Sequence, residues 1–252
     1  MDRQPSDLKS LGESIRMSSA KPLSERPCVD YECLICHDTE LITWQDEQHR
    51  PWARTCCCAA KKELWRREQM YMNLCNLPIN TEHMTLANFQ ARDKDLKAVQ
   101  DAAVDLAEEK GNVHWLILTG GCDSGKTHAA IAVCRRWLAR GRPARYAFVS
   151  LLLDELRQGF SKQGDSSYES MFNFFCRVGL LVLDDLGVEN PTPWVQEKLE
   201  TIIDYRMVNG LPLIVTTNLP VSKLPMRIAS RLQRMSGSRI IAITSPEFRT
   251  RR

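Results

Sequence analysis

Residues 120–127 read Gly-Gly-Cys-Asp-Ser-Gly-Lys-Thr, the spacing G-x-x-x-x-G-K-[ST], and no other feature of the chain restricts its fold so closely. Such a loop works in one setting: a buried strand must lead into it and a helix must leave it. Small residues then let successive backbone N–H groups turn inward around an anion, and the helix aims its positive end at the same point. The flanks provide that setting. Trp115–Thr119 is a compact apolar strand, and His128–Arg140 carries a helical pattern stopped at Gly141. The loop is therefore expected to bind nucleotide phosphates through Gly120, Gly121, Cys122, Asp123, Ser124, Gly125, Lys126, Thr127 and His128. Lys126 would reach the β- and γ-phosphates, and the Thr127 hydroxyl would hold Mg²⁺.

Two more strand ends fit the same chemistry. Leu180–Leu183 reads as a fully buried strand that delivers Asp184 and Asp185 at its C-terminal end, where a magnesium–nucleotide site needs carboxylates. Asp184 is expected to hold the metal through water and Asp185 to polarise the attacking water; a bare Asp-Asp pair could instead cap a loop. Val215-Thr216-Thr217-Asn218 ends a third strand on an amide able to bond both the γ-phosphate and the nucleophile, although an asparagine there is by itself commonly a turn residue. Further strands are read at Arg145–Ser150, Leu213–Thr217 and Arg239–Ile243. Helices are read at Asp93–Lys110 with Gly111 as cap, at Leu151–Phe160, at Tyr168–Cys176, and after the N-cap Thr192 with Pro193 in first position. Short continuous apolar strands alternating with helices predict an α/β fold with a parallel five-stranded sheet and flanking helices.

Ahead of this pattern the chemistry changes. Six of the ten cysteines, namely Cys28, Cys33, Cys36, Cys56, Cys57 and Cys58, fall between residues 28 and 58. Cys33-x-x-Cys36 and Cys56-x-Cys58 form two chelating pairs, and four thiolates at about 2.3 Å from Zn²⁺ would hold together a module with almost no apolar core. Cys28 and Cys57 are left over, Cys57 should point away, and His37 is an alternative ligand. Redox chemistry and an iron–sulfur cluster are the competing readings, the first without a thioredoxin-like context. Lys61–Leu74 reads as a charged helix. The expected division is an N-terminal zinc-binding module at 1–75 and a nucleotide-binding domain at 76–252.

Net charge is +3, but residues 219–252 hold eight basic side chains against the single acid Glu247. No apolar run is long enough to span a bilayer, and the polar start of the chain has no signal-peptide core, so a cytoplasmic location is expected.

Taken in order, Gly120–Thr127, Leu180–Gly187, Thr216-Thr217-Asn218, Arg227-Ile228-Ala229-Ser230-Arg231-Leu232 and Phe248-Arg249 resemble the DnaC/DnaI replicative helicase loaders and the related IstB transposition ATPases. The segment Tyr31–Thr39 with Cys56-Cys57-Cys58 resembles the zinc module of the DnaI-type loaders. The resemblance implies an AAA+ P-loop NTPase with little or no lid domain, catalytic Lys126, Asp184, Asp185 and Asn218, and the cofactors ATP, Mg²⁺ and Zn²⁺. It implies that Arg231 is an arginine finger reaching a neighbouring subunit's γ-phosphate and that Arg249 is a sensor arginine contacting nucleotide in its own subunit. The partners implied are a hexameric ring-shaped replicative helicase, single-stranded DNA and further copies of the chain assembled head-to-tail with ATP, with no membrane. Lys162, Tyr168, Phe174 and Phe175 are candidates for the DNA contact, the three aromatics being equally readable as core. Cys122-Asp123-Ser124 departs from the Pro-Gly-Thr common in relatives and puts a negative charge near the phosphates. Three alternatives stay open: an IstB-like helper acting on duplex DNA with a transposase, a small-molecule P-loop kinase, and a module that holds ATP without hydrolysing it.

Overall fold

The structure, a computed structural model, describes residues 32–161, 165–187 and 192–244. It forms two compact units, Met1–Arg66 and Arg67–Arg252.

In the first unit, β1 (Leu41–Gln45) and β2 (Pro51–Thr55) make an antiparallel hairpin, and α1 (Cys57–Cys75) begins directly after it. The Asp46 carboxylate closes the turn, accepting from the backbone N–H groups of Gln48 and Arg50 at 2.9 Å each and from Trp52 Nε1 at 3.0 Å. Those donors, the Trp52 indole foremost, hold the Asp46 carboxyl below its usual range. Asp38 performs the same service nearer the cysteines, accepting from Lys62 Nζ at 3.0 Å and from the Glu32 and Cys33 N–H groups at 3.1 Å. The hairpin has no counterpart in the sequence reading. Nine of its ten strand residues are exposed, so no buried face imposes the alternation that marks a strand in sequence.

The second unit is a five-stranded, all-parallel sheet covered on both sides. After α2 (Lys94–Glu108) come β3 (Trp115–Gly120), α3 (Lys126–Ala139), β4 (Ala144–Phe148), α4 (Val149–Ser161) and α5 (Asp165–Arg177). They are followed by β5 (Leu180–Asp184), α6 (Pro193–Val208), β6 (Leu213–Thr217), α7 (Met226–Arg234) and β7 (Ser238–Ile243). The strand order is β4-β5-β6-β3-β7. Period-two alternation sorts the strand side chains. Leu116, Leu118, Leu180, Val182 and Ile214 face α2 and α3, whereas Trp115, Ile117, Leu181, Leu183 and Val215 face α4 to α7.

Local chemistry sets most of the boundaries. Asp93 caps α2 by accepting from the Leu96 N–H at 2.9 Å, and Thr192 caps α6 with Pro193 behind it. Two expected ends move. Helix α2 stops at Glu109, which takes the left-handed conformation (φ 52°) itself, so that the expected cap Gly111 lies two residues beyond. The strand expected at Arg145–Ser150 ends at Phe148, and Val149 and Ser150 open α4. Helix α7 is an addition to the sequence reading: beyond β6 the described residues form one short 3₁₀ turn, α7 and β7, with no helical lid among them. Among the described residues no helix is long and apolar enough to cross a membrane.

At the end of the sheet where β5 and β6 begin lies the wholly buried Arg206. Its guanidinium donates to the carbonyls of Phe175, Cys176 and Val178 at 3.2, 3.1 and 2.9 Å. It also donates to those of Gly179 at 3.2 Å and Pro212 at 2.5 Å. One side chain thus satisfies the backbone that leads into both strands carrying the site.

Candidate functional site

The phosphate loop is built around backbone geometry that its residues can adopt. Gly120 (φ 153°) could not carry a side chain, because a Cβ would stand 2.6 Å from the carbonyl oxygen of Ile243 on the adjacent strand. Gly125 (φ 93°) makes the turn into α3 against the Phe89 ring. Asp123 is left-handed too (φ 52°), a conformation that aspartate tolerates better than most residues other than glycine. That tolerance lets an acidic residue occupy the turn.

Lys126 is buried, and its ammonium donates to the carbonyls of Gly120 at 3.0 Å and Gly121 at 2.5 Å and to Ser124 Oγ at 3.2 Å. Burial pulls its pKa down, against the opposing field of Asp185, Cys122, Asp184 and Asp123. Thr127, in the first turn of α3, donates to Asp184 Oδ2 at 3.1 Å. Asp184 reaches α3 because it shares the face of β5 that carries Leu180 and Val182. It is fully buried and also accepts from Tyr146 and Thr216, at 2.5 Å each. Asp185 turns out of the strand with φ 60°, its backbone N–H donating to Thr216 Oγ1 at 3.0 Å. Burial, with Asp184 beside it, raises the Asp185 carboxyl above its ordinary value.

Cys122, Asp123, Ser124, Gly125, Lys126, Thr127, His128, Asp185 and Asn218 line one cavity of about 670 Å³. Four elements distant in sequence therefore meet at it: the loop, the start of α3, the tip of β5 and the residue after β6. Asp184 is not on the wall, its carboxylate lying behind the Thr127 hydroxyl. A threonine hydroxyl touching a buried carboxylate beside a phosphate-binding loop is a donor set of the hard oxygen type that Mg²⁺ takes. The opposite wall was not anticipated. It is formed by His83, Met84, Asn88, Phe89, Gln90 and Arg92, from an irregular stretch without periodicity. His128 joins the two walls, its Nε2 lying 3.1 Å from the Thr85 carbonyl and its ring packing edge-on against Phe89 at 5.3 Å.

The arginines lie elsewhere. Arg231 is on α7, paired with Asp204 of α6 (NH2 to Oδ2 3.0 Å) and donating to the Arg227 carbonyl at 3.2 Å; it is not among the residues lining the cavity. The hydrogen bond to Asp204 raises its pKa further. Arg227 lies 3.4 Å from Glu200. Arg249, Lys162 and Cys28 fall outside the described residues. Of the aromatics considered for DNA, Phe175 is buried, and Tyr168 and Phe174 are partly buried and pack against the same core.

In the first unit, the sulfurs of Cys33, Cys36, Cys56 and Cys58 all lie within 4.8 Å of one another. Cys33 and Cys56 sulfurs are 3.7 Å apart and those of Cys36 and Cys58 3.3 Å apart. Ligands at ~2.3 Å from a tetrahedral zinc stand ~3.8 Å from each other, so the cluster has the size of a zinc site. Backbone N–H groups of Cys36 and Ile35 bring the Cys33 thiol down to about 6, whereas the Cys36 thiol against it, with burial, pushes Cys58 up. Cys57 is exposed and outside the four-sulfur group, and His37 is not a member.

A phosphate loop opening α3 from an interior strand of a five-stranded parallel sheet, with paired carboxylates at the tip of β5, defines a P-loop protein of the AAA+ fold. Comparison with known sequences makes the assignment narrower. The chain belongs to the IstB-like ATP binding protein family, whose profile matches residues 59–228. It is 23% identical over 216 residues to the replicative helicase loader DnaC of Escherichia coli K12, covering 84% of this chain and 86% of that one. It is 27% identical over 189 residues to a Mycobacterium tuberculosis protein named for ATP binding in an insertion sequence, covering 68% of this chain and 74% of that one. Among solved structures, the DnaC helicase loader superposes with a TM-score of 0.58 at 20% identity, over 66% of this chain and all of that one. DnaI gives 0.57 at 23% identity, over 72% of this chain and 98% of the other. These structures share the fold of the second unit's sheet and helices.

Proposed function

We propose that the protein is an ATP-dependent loader of a replicative DNA helicase, acting in the cytoplasm, with residues 1–75 gripping the helicase and residues 76–252 forming the ATPase motor. The reading rests on the extent of the likeness to DnaC. Its 84% of the chain is more than Arg67–Arg252 can supply, so the likeness runs into the cysteine-bearing unit as well as the motor. A shared nucleotide fold would not require that.

In the motor, the Lys126 ammonium exchanges its loop carbonyls for β- and γ-phosphate oxygens, and the backbone of Gly120–Thr127 cradles them. Thr127 and Asp184 would hold Mg²⁺, which would supply charge neutralisation for the phosphates. Asp185 polarises the attacking water, and the Asn218 amide bonds the γ-phosphate and that water. The wall from His83 to Arg92 takes the base, with Phe89 as its apolar floor. Arg231 serves the neighbouring subunit: released from Asp204, its guanidinium neutralises charge on the transferred phosphoryl group, so that hydrolysis depends on head-to-tail assembly. Arg249 contacts nucleotide in its own subunit. ATP then acts as a switch, joining subunits around single-stranded DNA while its γ-phosphate persists and releasing them once it is cleaved. Cys33, Cys36, Cys56 and Cys58 would hold Zn²⁺, which would supply in place of an apolar core the link between the segments on either side of the hairpin.

The second reading, a transposition helper acting on duplex DNA, is favoured by the 27% identity to the insertion-sequence protein, although its 68% coverage fits within the motor alone. Affinity capture with a hexameric replicative helicase, with and without ATP, separates the two. Capture that depends on nucleotide, together with phosphate release stimulated by single-stranded DNA, supports the loader. Absence of capture under both conditions, with stimulation by duplex DNA instead, rejects it.

A further inference from the structure

We propose that Tyr146 is a positioning residue for the magnesium carboxylate, holding Asp184 in the orientation that the metal requires. This inference rests on the reading of Asp184 as the metal carboxylate. Asp184 lies at the end of β5 with no exposed surface, an unfavourable place for an anion unless donors replace water on both oxygens. The structure supplies them from neighbouring strands. Tyr146 OH donates to Oδ2 from β4, and Thr216 Oγ1 donates to Oδ1 from β6, each at 2.5 Å. Thr127 touches both oxygens, at 3.1 and 3.3 Å, from the side of α3. Two fixed donors on opposite oxygens define the carboxylate plane and leave its remaining lone pairs facing Thr127 and the phosphate loop.

The strand register explains why residue 146 can do this. Phe148 is the partner of Asp184 and Tyr146 the partner of Val182, so Tyr146 lies two residues back on the same face of the sheet. A short side chain there would fall short of the strand end, and a phenol spans the gap. The ring itself is fixed: it is buried, and it packs edge-on against Phe148 at 5.3 Å. Nothing in the phosphate-loop or carboxylate motifs points to this tyrosine, because it sits on a strand that contributes no other residue to the site.

The test uses the full chain and a fluorescent ATP analogue, titrating Mg²⁺ and following the gain in nucleotide affinity over that measured in EDTA. Tyr146→Phe keeps the ring and removes the donor. The expected result is an increase of about fivefold to tenfold in the Mg²⁺ concentration giving half of that gain, with affinity in EDTA changed by less than about twofold. An unchanged Mg²⁺ midpoint overturns the proposal. Asp184→Asn distinguishes the layers: it should abolish the Mg²⁺-dependent gain, and if it does not, the metal reading of Asp184 fails rather than the role of Tyr146. If Tyr146→Phe loses its cooperative unfolding transition, Thr216→Val applies the same test through the other oxygen, and an unchanged midpoint there also overturns the proposal.

Discussion

Replacing Arg206 with methionine should lower the melting temperature of the larger unit while sparing the nucleotide site. The guanidinium donates to five carbonyls, those of Phe175, Cys176, Val178, Gly179 and Pro212, from a position with no exposed surface. A hydrogen bond from a charged donor contributes ~1.5–3 kcal/mol, so five give a gross loss of ~8–15 kcal/mol. Against that stands the relief of no longer burying a cation, an effective penalty of several kcal/mol that also pulls the Arg206 pKa down to about 9. Methionine refills most of the volume, and the relaxed loop recovers some bonds through water, leaving a net loss of ~3 kcal/mol. For a unit of this size, each kcal/mol moves the midpoint by ~2–4 °C, so scanning calorimetry of the full chain should show a decrease of about 6–12 °C. Arg206→Lys should do no better, since an ammonium has three donors and cannot reach five carbonyls spread around a planar fork. ATP affinity at 20 °C should change by less than about threefold, because the clamp lies at the opposite end of β5 and β6 from Asp185 and Asn218. A methionine variant melting within about 2 °C of the parent would refute the reasoning, for it would mean that the carbonyls find other donors without cost.

Asp123→Gly keeps a left-handed turn and removes a charge from the phosphate loop, so ATP affinity by titration calorimetry should rise about threefold to tenfold; an unchanged or lower affinity counts against charge as the reason. Asp185→Asn should retain ATP binding and lose turnover by about 10²-fold or more. Asp185 acts ionised and its pKa is raised, so in the parent the acid limb of the turnover profile should lie above the ~4 of an ordinary aspartate; a limb at or below that value excludes it as the titrating group. Arg231→Ala should bind ATP normally and lose its stimulation by single-stranded DNA, and full stimulation in that variant would remove Arg231 from the finger role. Cys36→Ser should bring bound zinc, measured by atomic absorption, from about one ion per chain to nearly none, with loss of helicase capture and retention of ATP binding; parental zinc content in that variant would refute the four-thiolate site.

The nucleotide-binding fold was legible in the sequence where chemistry and periodicity coincide. The phosphate loop demanded a strand before it and a helix after it, and β3 and α3 are there. Leu213–Thr217 needed no adjustment, since a strand buried on both faces reads as an unbroken apolar run ended by polar residues. The hairpin was illegible for the converse reason. Its turn is closed by the Asp46 carboxylate rather than ordered by a buried face, and hydrogen bonds to one carboxylate leave no period in a sequence.

The same contrast holds inside the site. Lys126, Thr127, Asp185 and Asn218 announce themselves because each sits at a fixed offset from a glycine or a strand end. Tyr146, Arg206 and the wall from His83 to Arg92 do not, because their importance arises from which strands become neighbours. In the order β4-β5-β6-β3-β7, β5 lies between β4 and β6, so the donors that the neighbouring strands bring to Asp184, Tyr146 and Thr216, come from 38 positions before it and 32 after it. A motif records the groups that meet the ligand. The groups that hold those in place are recorded in the pairing of strands, and only the folded chain displays it. Buried charge is the signal that leads to them: each fully desolvated carboxylate or guanidinium must have its partners nearby, and tracing those partners from Asp184 and Arg206 finds the residues that the motifs omit.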